Sequence, residues 1–345
     1  GNVPDMYASD AVNTVKMQAL KIPLDLRAAL GQDYIDGFAK ENVAEMTIGG
    51  KVWSAPWFSI PTAILYRTDL FAKAGVKPPK TFEEFITVCK ALTKDTDGDG
   101  KIDQYGWAMV GTDNGSGQGR FNTIARNMGA VDVYKNSAGR WVTDIDSAGW
   151  KAALKLYKDA VDVGCVPPGQ FQTGYPEASV LVGKGQAAMM ITGPHTIGVA
   201  LTANPAAKGK LAGAPIPAAA GVSATTSLNQ SGYAIARRSK HRAAAIAYLK
   251  FVLNKENQLR INDVTYRIPS RLDAQADPQV NSEMSLGFVK AGEGKVFSNP
   301  QIPWYNSIAI LSSPAYQAAI KGDKTIDQIA KEQAAKARKI IADNG

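Results

Sequence analysis

Two aromatic rings placed directly after a proline, Trp57 and Phe58 in SAPWFSIP, are the residues of this 345-residue chain best suited to hold a flat apolar molecular face. Pro56 has no backbone N–H, so it is expected to interrupt strand pairing and leave the two rings on a loop, one facing a ligand and the other packing inward. Arg120 and Arg271 are candidate anchors for a carboxylate, phosphate or sulfonate, because a guanidinium presents a planar fork of donors. Arg271 could equally close an ordinary ion pair between chain segments. Asp95, Asp97, Asp99 and Asp103 in DTDGDGKID alternate around Gly98 and Gly100 like the first half of a calcium loop. The twelfth position is Gly106 where such a loop needs a bidentate Glu, so the segment either holds a structural calcium or simply turns. No other cofactor is suggested. Catalytic patterns are missing: there is no P-loop, GxSxG, HExxH or Cys–His pair, and His195 and His241 are the only histidines. A glycosidase built on two carboxylates is the competing enzyme class, and it would lose turnover when either acid is neutralised.

These residues must be positioned by a sizeable scaffold. A chain of this length usually divides into two folding units, and 45% hydrophobic residues suffice for both cores. No run reaches the length of a membrane span, and no leader with a basic start and apolar middle is present. The net charge of +8 is dispersed. Its densest cluster, Arg237, Arg238, Lys240, His241 and Arg242, sits at a helix entry without interleaved aromatics, which argues against nucleic acid as a partner. The two cysteines, Cys89 and Cys165, fall in different predicted lobes and read as packed thiols, although an oxidising compartment would permit a disulfide.

The pattern is α/β. Met6 to Ala8, Ala63 to Tyr66, Tyr105 to Val110, Ala187 to Ile191 and Tyr233 to Ala236 read as short buried strands. Thr68 or Asp69 opens a helix that Gly75 ends, and Thr81 with Glu84 forms a capping-box pattern. Trp150, Leu154, Tyr157 and Val161 recur at helical spacing as a core stripe.

The segment GKVWSAPWFSIPTAILYRTDLFAKAG resembles the signature region of the extracellular solute-binding proteins of ABC importers, in the branch that takes up maltose and related sugars. GNVPD, GKGQAAMMITGP, SGYAIARRS and NPQIPWYN follow the same family's order. The resemblance implies a two-lobed, type II-like periplasmic-binding-protein fold with three interlobe hinge crossings and a ligand cleft between the lobes. The first lobe is expected at 1–110 and 218–268 and the second at 111–212 and 272–345, with crossings near Val110, at 213–217 and at 268–272. The family's opening strand, helix and strand have no counterpart here, so the first sheet is expected to have an unpaired edge.

The implied function is capture of a carbohydrate or carbohydrate-like solute for delivery to the permease subunits of an ABC transporter. No catalysis is implied, and the chain is expected to act as a monomer in the periplasm or tethered outside a single membrane. An anionic solute such as a sugar phosphate or sulfonate is the alternative. The resemblance further implies ligand contacts for several residues. Trp304 stands where relatives stack a tryptophan on a sugar ring, and His195 replaces the tryptophan of their Gly-Pro-Trp. Asp10 and Ser9 align near hydroxyl-binding positions, although Asp10 is also a natural helix cap. Ser59, Asn229 and Gln230 occupy loop positions of the same kind.

Overall fold

The computed structural model describes residues 4–345, so Gly1, Asn2 and Val3 of the GNVPD motif lie outside the described residues. Eight strands build two sheets: β1 (Met6–Asp10), β2 (Ala55–Ser59), β3 (Ala63–Arg67), β4 (Tyr105–Trp107), β5 (Ala187–Thr192), β6 (Leu211–Ala214), β7 (Ser231–Ile235) and β8 (Ile268–Pro269). The first sheet has the order β1-β7-β2-β8 and is antiparallel throughout. The second has the order β6-β3-β5-β4, antiparallel except for the β4–β5 pair. On the first sheet, β1 pairs only with β7, which leaves its other edge without a strand among the described residues.

Strand β3 explains where the lobes divide. Ala63, Ile64 and Leu65 are fully buried on both sides, as the run of apolar residues requires, and they pair with β5 and β6. The chain therefore leaves the first sheet at Ile60–Thr62, not near Val110, and the helices Thr68–Ala74 and Phe82–Ala91 belong to the second lobe. Gly213 and Ala214 are still strand β6, so the second crossing follows them and runs to Asn229. Ile268 and Pro269 still pair with β2, and the helix Leu272–Gln275 packs beside them, so the third crossing comes after that helix. Beyond it, the helix Glu283–Glu293 lies on β6, with Phe288 buried in the second lobe's core.

The crossings hold one another. Ile60 and Thr62 donate backbone N–H groups to Leu228 and Ser227, and Thr226 exchanges backbone bonds with Lys295 and Phe297. The first two crossings and the segment Lys295–Phe297, which follows the helix Glu283–Glu293, thus form a narrow ribbon between two packed bodies, which is how a hinge concentrates rotation in a few torsions.

Pro56 lies within β2, so Trp57 and Phe58 are strand residues and not loop residues. The register of β7 shifts between Ser231 and Gly232, opposite Phe58 and Pro56, and this irregularity accommodates the missing donor. Trp57 packs into the first lobe, 5.0 Å from the Tyr233 ring, and neither aromatic lines the space between the lobes.

The second lobe is covered on both faces. One face carries Trp107, Phe121, Trp150, Tyr157 and Tyr316 in edge-on and tilted contacts, which includes most of the stripe read from Trp150 to Val161. Cys89 and Cys165 lie together in this core and form a disulfide, correcting the expectation of separate thiols. With the first crossing at Ile60–Thr62 both cysteines are in the same lobe. Gly106 permits their approach, since a Cβ there would stand 2.1 Å from the Cys89 carbonyl oxygen.

In the acidic turn, carboxylate oxygens of Asp95, Asp97 and Asp99 lie within 4.8 Å of one another. Asp103 is turned away and accepts hydrogen bonds from Thr96 N and Oγ1. Asp95 accepts from the Gly98 and Gly100 amides, which hold its carboxyl below the usual range.

Candidate functional site

Between the two lobes lies a cavity of about 460 Å³. The first lobe contributes Asp10, Glu45, Gln230 and Ser231, and the second contributes Gln118, Asn122, Arg126, Tyr305 and Asn306. Phe297 and Asn299 reach in from the segment that follows the helix Glu283–Glu293. A smaller chamber of about 220 Å³ adjoins it, lined by Ile60, Thr62, Arg120, Tyr175, Thr192 and His195. Gly115, Gly119 and Asn229 line both spaces, so the two form one cleft.

The helix Gly115–Asn127 is the shared wall. Asn114 caps it by accepting hydrogen bonds from the Ser116 and Gly117 amides, and its glycine-rich first turn leaves the backbone open to the cleft. Its later turns project Asn122 and Arg126 toward the larger cavity. Asn122 donates to the Ala309 carbonyl, which fixes the amide plane. Arg126 is nearly inaccessible and donates to Asp132, to Tyr305 Oη at 2.7 Å and to Ser227 Oγ, with the Phe297 ring 3.6 Å from its guanidinium. Burial lowers its proton affinity, but Asp132 and Tyr305 more than offset this and raise its pKa.

Opposite stands Glu45, the last residue of the helix Lys40–Glu45. Burial raises its pKa to about 7, opposed by hydrogen bonding to Gln230 and by the Arg126 charge. Protons are then held more tightly in the folded than the unfolded chain between the ordinary carboxylate pKa and 7, so stability must fall as pH rises through that window. From pH 5 to 8 the protein should lose about 3 kcal/mol relative to a Glu45→Gln variant, measured as the difference in urea unfolding free energy. Parallel pH profiles would refute the assignment.

In the smaller chamber, Arg120 donates to the Ile191 carbonyl, to Ser116 O and Oγ, and to Thr192 Oγ1. Burial lowers its pKa to about 10, which still leaves it charged at neutral pH. His195 begins the helix His195–Ala203 and lies 4.8 Å from the Tyr175 ring. Burial, then the charges of Arg120 and Arg267, depress its pKa to about 3, so the imidazole is neutral, and its buried Nδ1 has no partner. Gly193 lets the hinge close onto this chamber, since a Cβ there would stand 2.0 Å from Ile60 Cγ2.

The sequence of residues 1–286 matches the family model described as bacterial extracellular solute-binding protein. This chain belongs to that family. Among relatives of this solute-binding protein, the diacetylchitobiose binding protein DasA of Streptomyces coelicolor is 24% identical over 340 residues, spanning 96% of this chain and 75% of that one. A binding protein of Brucella abortus (strain 2308) is 25% identical over 326 residues, 94% of this chain and 76% of its own. In fold, the solute-binding protein is similar to the maltose-bound MalE3 of T. maritima, with a TM-score of 0.85 at 22% identity, over 99% of this chain and 85% of that one. The two-lobed α/β architecture expected from the sequence is the one observed.

Of the residues singled out from sequence, Asp10, Arg120, His195, Asn229 and Gln230 line the cleft of this solute-binding protein. Asp10 also caps the helix Ala11–Ala19, accepting from Asn13 N and Nδ2. Trp304 does not line it: its ring packs edge-on against Trp141, 5.6 Å away, while the next residues, Tyr305 and Asn306, face the cavity. Ser9 is buried behind the wall against Thr14 Oγ1, and Ser59 faces a separate cavity behind the hinge. Arg271 is committed to Asp273 through two hydrogen bonds. Sequence reading passed over Glu45, Gln118, Asn122, Arg126, Tyr175 and Phe297. The only available signal was the position of Gln118, Asn122 and Arg126 at helical spacing with Arg120 between them.

Proposed function

We propose that this protein captures a carbohydrate in the cleft between its lobes and presents the closed form to the membrane subunits of an ABC importer. The carrying observation is the cavity wall. Gln118, Asn122, Asn229, Gln230, Asn299 and Asn306 offer six side-chain amides, each both donor and acceptor, around the aromatic residues Phe297 and Tyr305. Amides match hydroxyl groups, which also donate and accept, and a ring face suits the apolar face of a pyranose. Contacts from both lobes give the ligand more affinity for the closed arrangement, which is the condition for it to drive closure. The names of DasA, for diacetylchitobiose, and of the maltose-bound MalE3 support the carbohydrate reading. The family's description as extracellular supports a location outside the cytoplasmic membrane, in the periplasm or tethered to the surface, and no described helix is long and apolar enough to cross a membrane.

The protein works by binding alone. Glu45, with its pKa near 7, is the one group suited to general-acid chemistry, but Asp10, the other carboxylate of the cavity, is engaged as a helix cap. A panel of mono- and disaccharides should include at least one that raises the unfolding temperature by several degrees at a hundredfold excess over Kd and binds one per chain by calorimetry. No response to any saccharide would contradict the proposal, and so would hydrolysis of a nitrophenyl glycoside that Glu45→Gln abolishes.

A further inference from the structure

The larger cavity is acidic and rich in acceptors on its first-lobe wall. Glu45 and Asp10 both line it, and Glu45 is only 8% exposed. Glu45 also lines an annex of about 210 Å³ that shares Ala11, Val12 and Asn299 with the larger cavity, so this residue borders both spaces. The one cation in either lining is Arg126, and its guanidinium is committed to Asp132 through both carboxylate oxygens, a pair that adds no net charge to the cavity. Among the described residues Glu45 joins no ion pair. Gln230, on the same wall, is 2% exposed. Its Nε2 donates at 2.7 Å to the carbonyl of Asn42, one helical turn before Glu45, and this bond fixes which way the amide points. The opposite atom, Gln230 Oε1, is buried and receives no hydrogen bond.

A carboxylate removed from water without a counter-ion is unfavourable, and so is a buried amide oxygen without a donor. A neutral sugar would leave the first cost in place, whereas a cation would remove it. The donor count points the same way: a hydroxyl or an N-acetyl nitrogen brings one hydrogen, while an ammonium brings three, enough for both Glu45 oxygens and Gln230 Oε1 together. Asp10, exposed on the same wall, adds further negative charge. The amides of Asn122 and Asn306 on the other lobe would take the hydroxyls of the sugar body.

We propose that the solute is an amino sugar whose ammonium group binds Glu45 and Gln230 Oε1 on the first-lobe wall of the larger cavity. The proposal rests on the carbohydrate reading above and narrows it. The charge-assisted bonds to Glu45 select the ligand, and the sugar body held by the second lobe converts that contact into a preference for the closed arrangement.

The test is calorimetric titration of the intact protein at neutral pH with matched sets: glucosamine against glucose and N-acetylglucosamine, galactosamine against galactose and N-acetylgalactosamine, and chitobiose against cellobiose and diacetylchitobiose. In at least one set the free amine should bind about 10-fold to 100-fold more tightly than both of its uncharged counterparts. The ratio of the two affinities is the quantity read in the variants. Glu45→Gln, which keeps the shape and removes the charge, should bring that ratio close to one, and Glu45→Asp, which keeps the charge, should preserve part of it. Urea unfolding of each variant checks that it is folded, and the wild-type comparison decides the matter even where a variant is not. Uncharged sugars binding as tightly as the amines, or a preference that survives in folded Glu45→Gln, would overturn the proposal and leave the carbohydrate reading standing. Binding of no sugar of any kind would overturn both.

Discussion

Replacing Asp132 with alanine should lower the unfolding free energy by about 3 to 5 kcal/mol, because it leaves the Arg126 charge buried without a counter-ion. Arg126 and Asp132 are both less than a tenth exposed, and Arg126 Nη2 lies 3.0 Å from each carboxylate oxygen. Tyr305 donates its hydroxyl to the same carboxylate at 2.7 Å, so the group ties the shared helix to the segment that follows the ribbon. The loss exceeds that of one hydrogen bond because Arg126 is largely buried and would keep its charge without a carboxylate partner. Urea unfolding of Asp132→Ala measures it. The double variant Asp132→Leu with Arg126→Met should be less destabilised than Asp132→Ala, since no charge remains to be buried. Saccharide binding should be weakened in both, because Arg126 and Tyr305 form part of the cavity wall. A single-variant loss under 1 kcal/mol would show that water or another group compensates Arg126.

Reducing the Cys89–Cys165 disulfide should cost about 4 kcal/mol. The bond closes a loop of 76 residues within one lobe, and chain-entropy arguments give a value of that size for a loop so long, with measured losses more often 2 to 4 kcal/mol. The loop contains β4 and the helices Gly115–Asn127 and Ala148–Asp162, so opening it loosens the unfolded state of this segment of the second lobe. Unfolding should therefore occur at lower urea with dithiothreitol present, and Cys89→Ala with Cys165→Ala should reproduce the shift without reductant. Saccharide affinity should be unaffected below the transition, since neither cysteine lines the cleft. An unchanged midpoint in the double variant would contradict the loop-entropy argument.

What the sequence made legible follows from what local patterns encode. The strand at Ala63–Arg67, the helix that Gly75 ends in a left-handed conformation, and the Thr81 cap on the Glu84 amide depend on neighbouring residues, and all are present. Which sheet a strand joins depends on distant partners. Nothing within Ala63–Arg67 tells that it pairs with β5 and β6, so the first crossing was placed some fifty residues too late, and the cysteines were assigned to separate lobes as a result.

The site shows the same division. His195, Asn229 and Gln230 are legible because motif ends carry them to the cleft, whereas Arg120 reaches it from within the helix Gly115–Asn127. Trp304 was misplaced by one residue of helical rotation: the backbone that points Tyr305 and Asn306 at the cavity points Trp304 at Trp141. Trp57 and Phe58 follow strand alternation once a bulge absorbs Pro56, and they pack in the first lobe. Arg126 and Glu45 were invisible because a charged residue in a helix ordinarily faces water, and only tertiary packing buries these two.

The most direct test of capture between the lobes is a crystal structure of the protein with its tightest-binding saccharide. The sugar should lie in the cleft, bonded to Gln230 or Glu45 from the first lobe and to Asn122 or Arg126 from the second, with a ring against Phe297 or Tyr175. A saccharide bound to one lobe only, or outside the cleft while these side chains face solvent, would contradict it.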